Sequence, residues 1–184
     1  MNYHNITKCD QNNGDGLRVV LWVSGCSHHC EKCQNHQTWN PNSGILFDEN
    51  ARQEIFAELS NEYISGITLS GGDPLNENNI DEILKLVSDI RTLFPNKTIW
   101  IYSGYYWEEI FEPSFTEQSD KWIKKYLKQC EVRKKIISMC DVFIDGRYND
   151  SQRDVTLKWK GSRNQSVIDV KKTLENREMI LYAN

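Results

Sequence analysis

This sequence predicts an α/β fold on a mostly parallel sheet, and three observations carry the prediction. Short β-rich runs alternate with segments of helical period. The first run, residues 17–24, is almost continuously apolar, as a strand covered on both faces is. Polar loops recur just after the runs, where parallel sheets and barrels gather their ligand sites.

Taken in order, residues 17–24 lead straight into a loop rich in cysteine. Residues 48–63 set Ile55, Phe56 and Leu59 on one side of a helix, with Asp48 as its N-cap. Residues 66–70 form a short strand ending in Gly71-Gly72-Asp73-Pro74. Residues 79–94 place Ile80, Ile83, Leu84, Val87, Ile90 and Phe94 on one helical face, and Pro95 closes the element. Residues 98–103 are the next strand, followed by Gly104. Residues 105–118, with Pro113 among them, read as irregular. Residues 121–139 read as a helix with lysines on its outer face, and 141–145 as a strand ending at Gly146-Arg147. A polar tail holds a last helix near 167–176. Repeated strand–helix units imply right-handed crossovers, so four loops are expected to converge on one site. The chain, of 184 residues, reads as one domain.

The net charge of −4 argues against broad nucleic-acid binding, which needs a basic face. No run approaches the ~20 apolar residues of a membrane span. Residues 1–5 lack the charged and apolar regions of an export signal, so the expected location is the cytoplasm. There, clustered cysteines bind metal or do redox chemistry more often than they pair in disulfides.

Cys26, Cys30 and Cys33 are spaced C-x3-C-x2-C in Ser24-Gly25-Cys26-Ser27-His28-His29-Cys30-Glu31-Lys32-Cys33-Gln34-Asn35. Three thiolates this close can hold three irons of a cubane cluster, which leaves the fourth iron open to a small molecule. The rival reading is zinc, with one of His28, His29 or His36 as fourth ligand. In that reading the protein is a zinc-binding interaction module. The glycines of Gly71-Gly72-Asp73-Pro74 let backbone approach a ligand and leave carbonyls free to accept from an ammonium group.

On these residues the chain resembles the radical S-adenosylmethionine enzymes, whose cysteine triplet binds a [4Fe-4S] cluster. Within them it resembles the activating proteins of anaerobic (class III) ribonucleotide reductases. Met1-Asn2-Tyr3-His4, Asn13-Gly14-Asp15-Gly16-Leu17-Arg18, Val23-Ser24-Gly25-Cys26, Ser70-Gly71-Gly72-Asp73-Pro74-Leu75, Ile144-Asp145-Gly146-Arg147 and Lys160-Gly161-Ser162-Arg163-Asn164-Gln165 recur in order. The family motif ends in Gly-Gly-Glu where this chain has Asp73, and Lys32 stands where many members have an aromatic residue. The resemblance implies a partial (β/α) barrel of mostly parallel strands, a cluster on Cys26, Cys30 and Cys33, and S-adenosylmethionine on that cluster. It implies nucleotide contacts from Lys32, Cys33, Gln34, Gly71, Gly72, Asp73 and Ser103. The implied activity is reductive cleavage to a 5′-deoxyadenosyl radical that takes hydrogen from a glycine of the reductase's glycyl-radical subunit. A reductant such as flavodoxin supplies the electron. An activase for another glycyl-radical enzyme, or another radical enzyme of this superfamily, is the near alternative. Against the family's compact members, about 105–139 reads as an insertion and the polar residues after about 170 as an extension.

Asp145 and Arg147 are read as nucleotide or partner contacts, or as a structural ion pair. His28 and His29 are read as loop or interface residues rather than ligands. Cys9, Cys130 and Cys140 are read as buried or incidental thiols, and the six tryptophans as core or interface aromatics.

Overall fold

The computed structural model describes residues 1–116 and 118–183. Its strands are β1 (Asn2–Asp10), β2 (Leu17–Val23), β3 (Ile45–Leu46), β4 (Ile64–Gly71), β5 (Thr98–Tyr102), β6 (Val142–Asp145), β7 (Ser166–Asp169) and β8 (Leu181–Ala183). They form one sheet in the order β3-β1-β2-β4-β5-β6-β7-β8. The four central strands, β2, β4, β5 and β6, run parallel, while the pairs outside them are antiparallel. The fold is therefore mixed α/β with a parallel centre. Among the described residues no helix is long and apolar enough to cross a membrane.

The helices are α1 (Glu49–Leu59), α2 (Ile80–Leu93), α3 (Trp107–Phe111), α4 (Asp120–Ser138) and α5 (Val170–Asn176). Asp48 does cap α1, accepting from the Ala51 amide at 3.0 Å. Strand residues alternate between two layers, as a period of two requires. Val19, Leu21, Ile67, Leu69, Ile99, Ile101 and Phe143 pack with Ile55, Ile83, Val87, Ile136 and Val170 from the helices. Trp100, Val142, Ile144 and Val167 form a separate cluster on the other face. Helical apolar residues thus sit on one face of the sheet.

The opposite face carries a buried cation. Arg18 is fully buried and its guanidinium donates to Thr68 Oγ1 at 2.7 Å, the Ile67 carbonyl at 2.6 Å and Thr98 Oγ1 at 2.8 Å. It lies 5.1 Å from the centre of the Trp100 ring. Burial lowers its pKa to about 10. The neutral acceptors tie β2, β4 and β5 together beneath the central strands.

Three sequence expectations need correction, and one strand lies where the residue pattern predicts none. Residues 2–10 form β1, which the residue pattern hides because two irregularities in its pairing with β2 break the alternation. Residues 105–118 contain the short helix α3, which buries Trp107 and Ile110. The expected helix at 167–176 begins as β7, and Asp169 ends that strand and caps α5 by accepting from the Lys172 amide at 3.0 Å. The polar tail returns to the sheet as β8, with the Tyr182 hydroxyl 2.7 Å from Asp15.

Candidate metal centre

The carboxyl ends of β2, β4, β5 and β6 carry the cysteine loop, Gly71-Gly72-Asp73-Pro74, Ser103-Gly104 and Asp145-Gly146-Arg147. Backbone bonds tie these loops to one another. The Gly72 amide donates to the Val23 carbonyl at 2.7 Å and the Asp73 amide to the Gly25 carbonyl at 2.8 Å. The Ser103 amide donates to the Ile144 carbonyl at 3.0 Å and the Gly146 amide to the Tyr105 carbonyl at 3.0 Å.

Glycine at two of these positions is required by space as well as conformation. Gly71 has φ +102°. A Cβ on Gly72 would meet the Gly25 carbonyl oxygen at 2.6 Å. No side chain fits where the glycine ledge passes the entry to the cysteine loop.

Asp73 turns inward and is 1% exposed. Its carboxylate accepts from the Leu75 amide at 2.8 Å, Ser103 Oγ at 2.9 Å and the Gly104 amide at 3.2 Å. His28 Nε2 lies 2.7 Å from the same carboxylate, and its ring stands edge-on to Tyr105 at 4.7 Å. Asn79 adds a second tie: instead of capping α2, its side chain donates to the Ser24 and Asp73 carbonyls at 2.8 and 2.9 Å. Sequence reasoning placed Asp73 and Ser103 correctly at loop positions but missed His28 and Asn79 as the side chains that lock the loops. Bonds across 45 and 55 residues leave no local periodicity to read.

The cysteine loop is bent by left-handed residues at His29 and Lys32. Cys26, Cys30 and Cys33 are each partly buried. Burial pushes the Cys26 thiol up to about 12, and the charge of Asp73 adds to the rise. Burial also raises Cys30. Amide donors work the other way: the His28 and His29 amides reach Cys26, the Tyr148 amide reaches Cys30, and the Asn35 amide donates to Cys33 Sγ at 3.4 Å. Buried sulfurs facing amide donors suit thiolates on iron, where cationic metal replaces the proton and the amides share the remaining charge. Among the described residues no three His, Cys, Asp or Glu side chains converge as they would around a single ion.

The other predicted contacts are distributed around this loop. Lys32 points outward and its Nζ lies 2.7 Å from Asp150. Gln34 is exposed. Asp145 and Arg147 do not pair with each other. Arg147 meets Glu109 at 2.9 Å and the Tyr106 ring at 5.4 Å. Asp145 is buried and accepts from the Trp107 and Ser166 amides at 3.0 Å each. Burial outweighs those two donors and raises its pKa to about 6. In this case the folded state holds the proton more tightly than the unfolded chain. As pH rises through about 4 to 6 the buried carboxyl is stripped, and stability falls by up to about 3 kcal/mol. A carbon-13 NMR titration of Asp145 should find its midpoint near 6, and a midpoint near 4 would refute the burial argument. Cys9 is exposed on β1, which leaves it the incidental reading, whereas Cys130 and Cys140 are buried. Trp122 is also largely exposed, at 44%.

Comparison with known proteins agrees with the chemistry of the loop. Residues 12–168 match the family described as a 4Fe-4S single cluster domain. That match decides for an iron–sulfur cluster over the zinc reading. The chain is 44% identical over 165 residues to the anaerobic ribonucleoside-triphosphate reductase-activating protein of Enterobacteria phage T4, covering 90% of this chain and 92% of that one. It is 37% identical over 169 residues to the Escherichia coli K12 protein of the same name, covering 91% and 97%. The Haemophilus influenzae protein of that name matches at 36% over the same shares. With three cysteines on a loop bent and amide-lined for iron, and relatives aligned along nine-tenths of its length, this chain belongs to the family of anaerobic ribonucleoside-triphosphate reductase-activating proteins.

Proposed function

We propose that the chain is a glycyl-radical activase that works by radical S-adenosylmethionine chemistry, on a partial (β/α) barrel. A reduced cluster held by Cys26, Cys30 and Cys33 would supply one electron to the sulfonium of S-adenosylmethionine, and the C5′–S bond would break to methionine and a 5′-deoxyadenosyl radical able to take a hydrogen atom from a glycine Cα of the reductase. One observation supports this reading above the others. Three partly buried thiols and the Gly71-Gly72 ledge stand on adjoining strand ends, joined by the Asp73 amide on the Gly25 carbonyl.

In this proposal Cys26, Cys30 and Cys33 hold three irons. Backbone carbonyls of Gly71 and Gly72 accept from the nucleotide's methionine ammonium, and the backbone of Lys32, Cys33 and Gln34 borders its adenine. Asp73 and Ser103 act mainly by fixing the ledge, since the carboxylate's acceptor positions are taken by this chain's own donors. The one-sided covering of the sheet by helices supports the barrel, because the uncovered face carries Arg18 and Trp100 inward. A primary radical attacks indiscriminately, so the chain's part is positioning and exclusion of water. The electron comes from a reductant such as flavodoxin, and the setting is the cytoplasm.

The test uses anaerobically reconstituted protein, dithionite, S-adenosylmethionine and the anaerobic reductase, read by electron paramagnetic resonance. A doublet from a glycine of the reductase is expected. Methionine and 5′-deoxyadenosine without that doublet would move the target to another protein. No cleavage by cluster-loaded protein would reject the radical chemistry itself.

A further inference from the structure

Arg133 of α4 is 1% exposed and carries an incomplete set of partners. Its Nε donates to the Leu75 carbonyl at 2.9 Å and its Nη2 to the Tyr105 hydroxyl at 3.0 Å. Its guanidinium lies 4.2 Å from the Tyr105 ring centre. These partners are all neutral, and the buried Nη1 has no acceptor among the described residues. Trp39 Nε1 is likewise buried without an acceptor. Both residues line one cleft of ≈ 440 Å³, and Cys26 lines it too. The acid of that cleft, Glu77, is held by Lys125 at 2.7 Å and by Gln129 at 2.8 Å.

A buried guanidinium without an anion is costly, and a ligand that brings the anion removes the cost. Two orphan donors in one cleft call for a group with several acceptor lone pairs, such as a carboxylate. The surroundings indicate what carries it. Helix α4 has seven basic and two acidic side chains, a net of +5 in a chain of net −4. Lys121, Lys124 and Lys128 are exposed along it, beside an exposed Trp122 stacked on Tyr126 at 5.0 Å. Charge spread over a helix fits a macromolecule rather than a nucleotide. The cleft is also not lined by the ledge residues Gly71, Gly72 and Asp73, nor by Lys32, Cys33, Gln34 or Ser103.

We propose that this cleft and the basic face of α4 dock the reductase, with an acidic side chain of the reductase placing its carboxylate on Arg133 Nη1 and Trp39 Nε1. The proposal rests on the reading that the reductase is this chain's partner. It gives a function to the 105–139 segment and anchors the partner beside a wall that includes Cys26.

The test measures affinity of the cluster-loaded protein for the anaerobic reductase under argon, at low and at moderate salt. R133Q should weaken binding roughly thirtyfold or more. Because R133Q removes a buried charge, the exposed triple variant K121E/K124E/K128E is measured alongside, its fold checked by circular dichroism. It should bind more weakly at low salt and lose most of the wild-type salt dependence. Unchanged affinity in both variants would overturn the proposal and leave Arg133 a structural cation. The same preparations are titrated with S-adenosylmethionine, and a loss confined to the nucleotide would assign the anion to its carboxylate, again overturning the proposal. If wild-type protein binds the reductase and the variants do not, yet no glycyl radical forms, the docking site stands and the activase reading falls.

Discussion

Replacing Cys30 by alanine should leave the protein with less than about one iron per chain, against about four in the parent, and with no broad visible absorption from sulfur-to-iron charge transfer. The expectation comes from the loop. In the proposed site each thiol of the triplet serves one iron, so two remaining thiols would hold a cubane by one edge and expose half of it to solvent. Burial keeps the Cys26 thiol protonated at neutral pH, with a pKa of about 12, so its thiolate forms only when iron displaces the proton. Loss of one iron site therefore weakens the others. Reductase activation should fall to background with the iron. Cys9→Ala and Cys140→Ala are the controls, because one lies exposed on β1 and the other is packed under the end of α4. Iron analysis and visible spectra of anaerobically reconstituted protein check the outcome. A fully loaded Cys30→Ala protein would remove the triplet from the cluster.

The parallel centre of the fold is legible in the sequence because its strands are buried on both faces. Runs such as Val19-Val20-Leu21 and Ile99-Trp100-Ile101 need no partner to be recognised. The helices α1, α2 and α4 are legible from their apolar spacing. The edges are not. In β1 only Tyr3 and Ile6 are buried, on a strand interrupted by irregular pairing and a left-handed Cys9. The short β7 and β8 are held by neighbours rather than by their own pattern.

The candidate site divides in the same way. The cysteine spacing and the double glycine are local, so a linear reading finds them. What fixes them to each other is long-range: His28 and Ser103 on Asp73, and Asn79 on the Ser24 carbonyl. Arg133 leaves a trace in the sequence. It falls three residues after Cys130 and four before Ile137, on the buried stripe of a helix whose other cations face solvent. An arginine at a core position of a lysine-rich helix marks either a structural tie or a waiting anion site.

Asp73→Asn should lower stability by about 2–4 kcal/mol and weaken S-adenosylmethionine binding at least about tenfold, although the side chain keeps its size. In the parent, both carboxylate oxygens accept, one from the Leu75 amide and the other from the Gly104 amide and His28. An asparagine has one accepting oxygen. Whichever way its amide is turned, its NH2 group faces a backbone N–H, and one buried donor is left without an acceptor at about 1–3 kcal/mol. His28 loses its anionic neighbour as well, at a side chain only 6% exposed. The damage should spread to function through geometry, because the same carboxylate holds Ser103 and Gly104 against the glycine ledge. Asp73→Glu makes the contrast informative. Glutamate supplies the acid that ends the Gly-Gly-Glu motif of the radical S-adenosylmethionine enzymes this chain resembles, but adds a methylene at a position 1% exposed, where overpacking costs about 1–3 kcal/mol. If Asp73 chiefly touches ligand, the glutamate variant should bind the nucleotide as well as the parent does. If it chiefly ties the loops, both variants should bind weakly and unfold at lower urea. Equilibrium dialysis with the nucleotide and urea midpoints decide between these outcomes, and an Asp73→Asn protein with both values intact would show that the buried carboxylate is not what holds the loops in register.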